Sequence, residues 1–281
     1  MFHLASSLYS QYTKREQYNV LILGLDNAGK TTFLEHIKLL YASPTATSQA
    51  DSGKKNNESS GKKGTFKNGN DSQGPDQAEE LQTTSDILKT KRILPTVGQN
   101  TTTIKFEASD KHSPLASQFK NINLKFWDLG GQKSLRNMWS RYFTQCHGII
   151  FVIDSTDTAR FQECYETLVD IANDDSWLLS NTQDNNDEER MVGGNTAGNI
   201  GGDGTVNVPI LMLANKQDLP QAVDLVSLKT GVFIKLVSEL EATDSKLLPV
   251  SVLENQGLRE SLEWLVTRLI YNKTNKRPEY K

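Results

Sequence analysis

Gly24-Leu25-Asp26-Asn27-Ala28-Gly29-Lys30-Thr31 fits the pattern G-x-x-x-x-G-K-[ST]. Its flanks decide how it is read. Residues 18–23 form a short apolar run that reads as a buried strand, and residues 31–41 carry Phe33, Leu34, Ile37, Leu40 and Tyr41 at helical spacing. Strand, glycine-rich turn and helix start form the setting in which the pattern becomes a phosphate-binding loop. The glycines let the backbone wrap an anion, and the loop's N–H groups point inward at it. In that reading Lys30 reaches the outer phosphates and the Thr31 hydroxyl ligates Mg²⁺. The letters alone arise by chance in roughly one chain of this length in a hundred, and far less often between such a strand and such a helix.

Composition sets the limits around that loop. The chain has 281 residues, 36% of them hydrophobic, and a mean hydropathy of −0.51. That is low for a chain folded throughout, so part of it is expected to stay outside any core. A net charge of −3 gives no whole-chain case for nucleic acid or an anionic membrane. Cys146 and Cys164 are far apart and in no metal spacing, so they read as reduced thiols of a cytosolic protein. No apolar run approaches the roughly 18 residues of a membrane span, and the N-terminus lacks the features of a secretory signal. The expectation is a soluble, cytosolic-facing protein.

Met1, Leu4, Ala5, Leu8, Tyr9 and Tyr12 share one helical face, and Lys14 and Arg15 close the segment. A helix of about twelve residues is marginal alone in water, so it must lie on its own domain, on a membrane or on a receptor. Residues 1–17 are therefore set apart as an amphipathic N-terminal helix. Residues 42–91 are dominated by Gly, Ser, Asn, Lys, Asp and Gln, which predicts a disordered insertion. Its closure is cheap: growing a loop from ten to sixty residues costs about 1.6 kcal/mol. Residues 109–119 and 175–207 read as two further insertions. Without the three, a core of roughly 180 to 190 residues remains, a normal single-domain size.

In that core strands alternate with helices. Strands are predicted at residues 18–23, 101–107, 121–127, 147–154, 208–214 and 246–251, and helices at 31–41, 158–173, 225–240 and 258–272. The second and third strands follow each other as a hairpin. The rest calls for an α/β fold with a mostly parallel six-stranded sheet covered by helices on both faces. Such sheets bind ligands beyond the carboxyl ends of their strands. Three motifs sit there. Trp127-Asp128-Leu129-Gly130-Gly131-Gln132 offers Asp128 near Mg²⁺ and the Gly131 N–H to a γ-phosphate. Asn215-Lys216-Gln217-Asp218 offers the Asp218 carboxylate to the N1–H and N2–H edge of guanine, while Lys216 and Asn215 brace loop and base. Adenine lacks both donors, and sites of this kind discriminate by ~10⁴ or more. Pro95-Thr96-Val97-Gly98 brings the Thr96 hydroxyl toward Mg²⁺.

Together these motifs resemble the small GTPases of the ADP-ribosylation factor (Arf) superfamily, and the two-glycine form Asp128-Leu129-Gly130-Gly131-Gln132 points to Arf-like members. Met1-Phe2-His3-Leu4, Val97-Gly98-Gln99-Asn100 and Lys276-Arg277-Pro278-Glu279-Tyr280 resemble the Arf-related protein subfamily more closely still. The resemblance implies a P-loop small GTPase fold binding GTP or GDP with Mg²⁺. It places nucleotide contacts at Gly24, Asp26, Asn27, Ala28, Gly29, Lys30, Thr31, Thr32, Asp128, Gly131, Asn215, Lys216, Asp218, Ser251 and Val252. Mg²⁺ would be held by Thr31 and, in the GTP state, Thr96, with Asp128 acting through water. Gln132 would orient the attacking water, with Lys30 and Thr96 completing the catalytic set. No arginine stands out as one that enters the site in cis, so fast turnover should need an activating protein. The resemblance further implies an exchange factor, effectors, a monomeric state, an acetylated N-terminus, and peripheral attachment to Golgi membranes through the N-terminal helix and a membrane receptor.

The chain also departs from the family. Phe2 stands where most Arf proteins carry the glycine that receives myristate. Gln99 replaces an aromatic that usually stacks with a Trp and a Tyr, matched here by Trp139 and Tyr142. Ser251-Val252 stands where Ser-Ala or Cys-Ala is usual. Two other classes fit the motifs less well. A nucleotide-locked scaffold does not need Gln132 and Thr96, and a P-loop kinase does not explain the Asn215–Asp218 motif.

Overall fold

The computed structural model describes residues 15–42, 84–108, 119–174, 176, 208–231, 233–234 and 244–281. In chain order they form β1 (Glu16–Leu23), α1 (Lys30–Leu40), α2 (Thr84–Thr90), β2 (Gln99–Lys105), β3 (Ile122–Leu129), a 3₁₀ turn (Lys133–Met138) and α3 (Ser140–Phe143). There follow β4 (Gly148–Asp154), α4 (Phe161–Ala172), β5 (Ile210–Asn215), α5 (Leu225–Thr230), β6 (Ser245–Pro249), α6 (Leu258–Tyr271) and β7 (Glu279–Tyr280).

Alternation along the central strands divides the interior in two. Leu21 and Leu23, Ile149, Phe151 and Ile153, and Ile210 and Met212 face one core, with Phe161 and Leu168 of α4 packed on it. Val20 and Ile22, Ile150 and Val152, and Leu211 and Leu213 face the other, where Phe33 and Ile37 of α1 meet Leu262 and Val266 of α6. Because both faces are covered, these strands are near-continuous apolar runs, as parallel sheets require. The strand order is β2-β3-β1-β4-β5-β6, with β2 antiparallel to β3 and the other pairs parallel. Leu23, Leu129, Asp154, Asn215 and Pro249 thus end on one edge of the sheet, and the loops that follow them build the site.

The structure corrects several boundaries. A seventh strand, β7, joins the six expected, pairing antiparallel with Glu16 and Gln17 of β1. β1 itself begins at Glu16, inside the segment assigned to the N-terminal helix; residues 1–14 lie outside the described residues. The range 42–91 is not insertion throughout, since α2 occupies Thr84–Thr90; residues 43–83 lie outside the described residues, as do 109–118 and 177–207. Phe119, assigned to the second insertion, is buried with its ring edge-on to Phe106 at 5.6 Å. The helix expected over 225–240 is broken after Thr230, because the chain leaves helical geometry at Gly231, whose N–H caps Ser227 O at 3.0 Å; residues 235–243 lie outside the described residues.

Candidate functional site

At the phosphate end, Gly29 holds a left-handed φ of 98° as α1 begins, and a Cβ there would stand 2.4 Å from Asn215 Nδ2. Only glycine meets both demands. The Lys30 side chain folds back over the loop, its ammonium donating to Leu25 O at 2.5 Å. Lys30 is 6% exposed, and burial drives its pKa down to about 8 against the pull of Asp128 and Asp26. Gly131 sits so tightly against this loop that a Cβ would fall 2.3 Å from Lys30 Nζ and 2.4 Å from Gly24 O. The Gly130-Gly131 turn is wedged in place by Trp139, whose Nε1–H donates to Gly130 O at 3.1 Å.

Beside Lys30, three oxygen groups from distant parts of the chain converge. Thr31 Oγ1 lies 2.7 Å from Thr96 Oγ1, and both hydroxyls donate to Asp128 Oδ2, at 2.7 and 3.2 Å. Asp128 is fully buried, which raises its pKa despite those hydrogen bonds and the nearby Lys30 charge. Its other oxygen, Oδ1, has no partner among the described residues. A buried carboxylate with an orphaned oxygen and two hydroxyls beside it suits a small hard cation such as Mg²⁺. No cluster of three or more His, Cys, Asp or Glu able to hold a metal occurs among the described residues.

The far end of the cleft is built by two loops laced together. Asn215 donates from Nδ2 to Ala28 O at 2.9 Å and accepts the Val252 N–H on Oδ1 at 3.1 Å, tying the phosphate loop to the loop after β6. Lys216 takes a left-handed φ of 67° and its ammonium pairs with Asp154 at 2.6 Å. Burial would raise the Asp154 carboxyl, but hydrogen bonds from Lys216 and Thr156 hold it below the usual range. Ser251 Oγ donates to Asp218 Oδ1 at 2.6 Å, which orients the exposed Asp218 carboxylate.

These ends share one cleft of about 380 Å³, lined by Asp26, Asn27, Gly29, Lys30, Thr31, Thr32, Thr96, Gly131, Gln132, Asn215, Lys216, Asp218 and Val252. Gly24, Ala28, Asp128 and Ser251 are buried directly behind them. Sequence reasoning missed the apolar part of the wall, formed by Ile93, Leu94, Leu219 and Leu253. It also missed two arginines bracing the rim. Arg160 donates to Asp26 Oδ1 at 2.8 Å and to Asp157 at 2.6 Å; Arg136 donates to Gly131 O at 2.9 Å and to Glu163 at 2.8 Å. Both are engaged by carboxylates and neither lines the cleft. No local pattern could have paired Arg160 with Asp26 across 134 residues.

One assignment is corrected at the outer face. The aromatic beside Tyr142 is Trp127, at 5.3 Å between ring centroids, and not Trp139, which is buried beneath the Gly130 turn. Gln99 joins the pair by accepting a hydrogen bond from the Tyr142 hydroxyl on Oε1.

Comparison with known proteins gives the family. The family model described as "ADP-ribosylation factor family" matches residues 4–57, 81–188 and 183–269. The chain is 37% identical to ADP-ribosylation factor-like protein 3 of Saccharomyces cerevisiae over all 281 residues, covering 100% of both chains. It is 31% identical to ADP-ribosylation factor-related protein 1 of Bos taurus, over 97% of this chain and 94% of that one. Among solved structures, the Arl6 BBS3 small GTPase of Trypanosoma brucei with bound GppNp superposes with a TM-score of 0.51 at 20% identity, covering 91% of this chain and 99% of that one, a likeness of fold. The chain belongs to the ADP-ribosylation factor family and is an Arf-like small GTPase, a GTP-binding switch that hydrolyses its ligand.

Proposed function

We propose that the cleft holds GTP with its guanine on Asp218 and its outer phosphates between Lys30 and Gly131, and that the switch governs recruitment to Golgi membranes and vesicle-mediated transport. One observation carries the assignment: the Thr31–Thr96–Asp128 cluster and the Asp218–Ser251 pair stand at opposite ends of a single cleft. Asp218 accepts from the guanine edge, the Val252 N–H region faces its carbonyl, and Lys216 and Asn215 hold both loops still. Thr31 and Thr96 would hold Mg²⁺, with Asp128 acting through water, and the ion would neutralise charge developing on the β- and γ-oxygens. Gln132 lines the cleft beside Gly131 and orients the attacking water. Thr96 and Gly131 meet the phosphate only while the γ-phosphate is present, so order in their two segments is the signal.

An exchange factor, an activating protein, effectors and a Golgi receptor are the partners this cycle needs. The N-terminal segment, with Met1 retained before the bulky Phe2 and acetylated as the subfamily resemblance implies, supplies the membrane contact. Two experiments test the reading. Affinities for GTP, GDP and ATP should favour guanine by ~10⁴ or more; equal binding of ATP overturns it. Leu4→Asp with Leu8→Asp should make the protein cytosolic with GTP binding intact, and Golgi staining that survives discards the helix as anchor.

A further inference from the structure

A seven-residue helix with one buried side chain cannot hold itself together in water, so α2 is held by what it touches. Leu88 is its peg, 2% exposed. On the α1 side, Thr84 Oγ1 lies 3.3 Å from His36 Nε2, and Lys91, the residue after the helix, pairs with Glu35 at 2.6 Å. On the other side Lys89 reaches across to Glu254 at 2.7 Å. Glu254 directly follows Val252 and Leu253, which line the cleft, and its N–H donates to Ser251 Oγ at 3.2 Å. Ser251 Oγ in turn donates to Asp218. The chain leaving α2 runs straight into Ile93, Leu94, Pro95 and Thr96 of the cleft wall.

We infer that α2 is a strap that ties the two walls of the nucleotide cleft together, and that Lys89 and Glu254 are positioning residues that slow release of the bound guanine nucleotide. This rests on the assignment of the cleft to a guanine nucleotide. The bridge joins the segment carrying Thr96 to the loop that orients Asp218, so the two walls move apart freely only once that ion pair is broken. The path from α2 to Asp218 is continuous: Lys89, Glu254, the Ser251 hydroxyl, Asp218. The strap is adjustable. Its ion pair is exposed, so it is screened by salt and a partner's charge can compete for either half.

The test is dissociation of N-methylanthraniloyl-GDP from the full-length protein with excess GDP. Lys89→Glu and Glu254→Lys should each speed release by about three- to fivefold, and the double reversal should return it to within about twofold of wild type. Leu88→Ala should speed release more than either. Melting temperature without nucleotide and the single-turnover hydrolysis rate should be unchanged in the two charge variants, which a general loss of structure would not allow. Release at the wild-type rate in both single variants, or a double reversal as fast as the singles, overturns the strap while leaving the cleft's assignment standing. Failure of the wild-type protein to retain the labelled GDP at all overturns the assignment itself.

Discussion

Lys30 sits where burial opposes charge, and that makes it a reporter of the ligand. Its pKa of about 8 lies below the ordinary 10.5 because the ammonium is desolvated more than Asp128 and Asp26 compensate. Phosphate oxygens beside it would restore the charged form. Nucleotide binding near about pH 8.5 should therefore take up protons, a fraction of one per site, whereas at about pH 6.5 it should not. Calorimetric binding enthalpies in buffers of different ionisation heat measure this directly, and proton release at the higher pH would contradict it. Folding has the matching sign: with the native pKa lowered, the unfolded chain binds more protons between about pH 8 and 10.5, so this group favours the native state increasingly as pH rises through that window. At the other end of the cleft, Asp218→Asn should weaken GTP binding by several kcal/mol and favour xanthine nucleotides, since Asn presents a donor where Asp only accepts. Competition between GTP and xanthosine triphosphate reads this out, and unchanged preference would remove Asp218 from base recognition. Both residues were legible because their motifs are contiguous. Asp26 was legible as a position but not as a partner of Arg160, a contact made by folding alone.

Among the elements, those buried on both faces were the easy ones. β1, β4 and β5 announce themselves as apolar runs, and α1, α4 and α6 by helical spacing, because each must fill a core. α2 and β7 carry no such signal. α2 contributes one buried side chain and lies in a polar stretch, so composition outweighed it; β7 is two residues whose pairing depends on the far end of the chain. Gly231 shows the opposite case: apolar spacing around it predicts an unbroken helix through a residue at which helical geometry is interrupted. The position of α2 also refines what can be removed. Replacing residues 43–83 with a short linker, with Thr84 onward kept, should leave nucleotide affinity within about threefold and stability slightly raised, since loop closure favours the shorter chain by up to ~1.6 kcal/mol. A deletion extended through Lys91 should instead also remove Leu88, whose burial alone is worth about 2 kcal/mol. Thermal melts of the two deletions separate these outcomes; equal stability would mean that α2 contributes nothing.

The whole molecule brings its two described ends together at the edge of the sheet opposite the cleft. Arg15 and Lys281 exchange backbone hydrogen bonds at 2.9 and 3.1 Å, and the Glu279 carboxylate takes the buried amides of Gln17 at 2.8 Å and Asn19 at 2.7 Å. His147 secures the approach to β7. Its Nδ1 accepts the Asn19 N–H at 3.0 Å, which leaves the proton on Nε2 to donate to Arg277 O at 2.9 Å. A second proton on Nδ1 would face a backbone donor, and burial lowers the ring's pKa below the ordinary 6.5. The sign follows. The unfolded chain takes the proton first, so stability from this group is present above about pH 6.5 and is lost as pH falls through the native value. Removing residues 277–281 should uncover Gln17, Asn19 and His147 together and lower the melting temperature at about pH 7.5 by roughly 5–10 °C, given about 1 kcal/mol for each of the amide and backbone hydrogen bonds to Glu279 and Lys281 that are lost. It should also flatten the fall in melting temperature between about pH 7.5 and 5.5, because a solvated His147 titrates alike in both states. His36, also lowered by burial, is present in both chains and cancels in the comparison. Scanning calorimetry of the full and shortened chains at the two pH values decides it: equal melting temperatures at neutral pH, or parallel pH profiles, would show that β7 is an ornament on β1 and not the clasp that joins the ends of the fold.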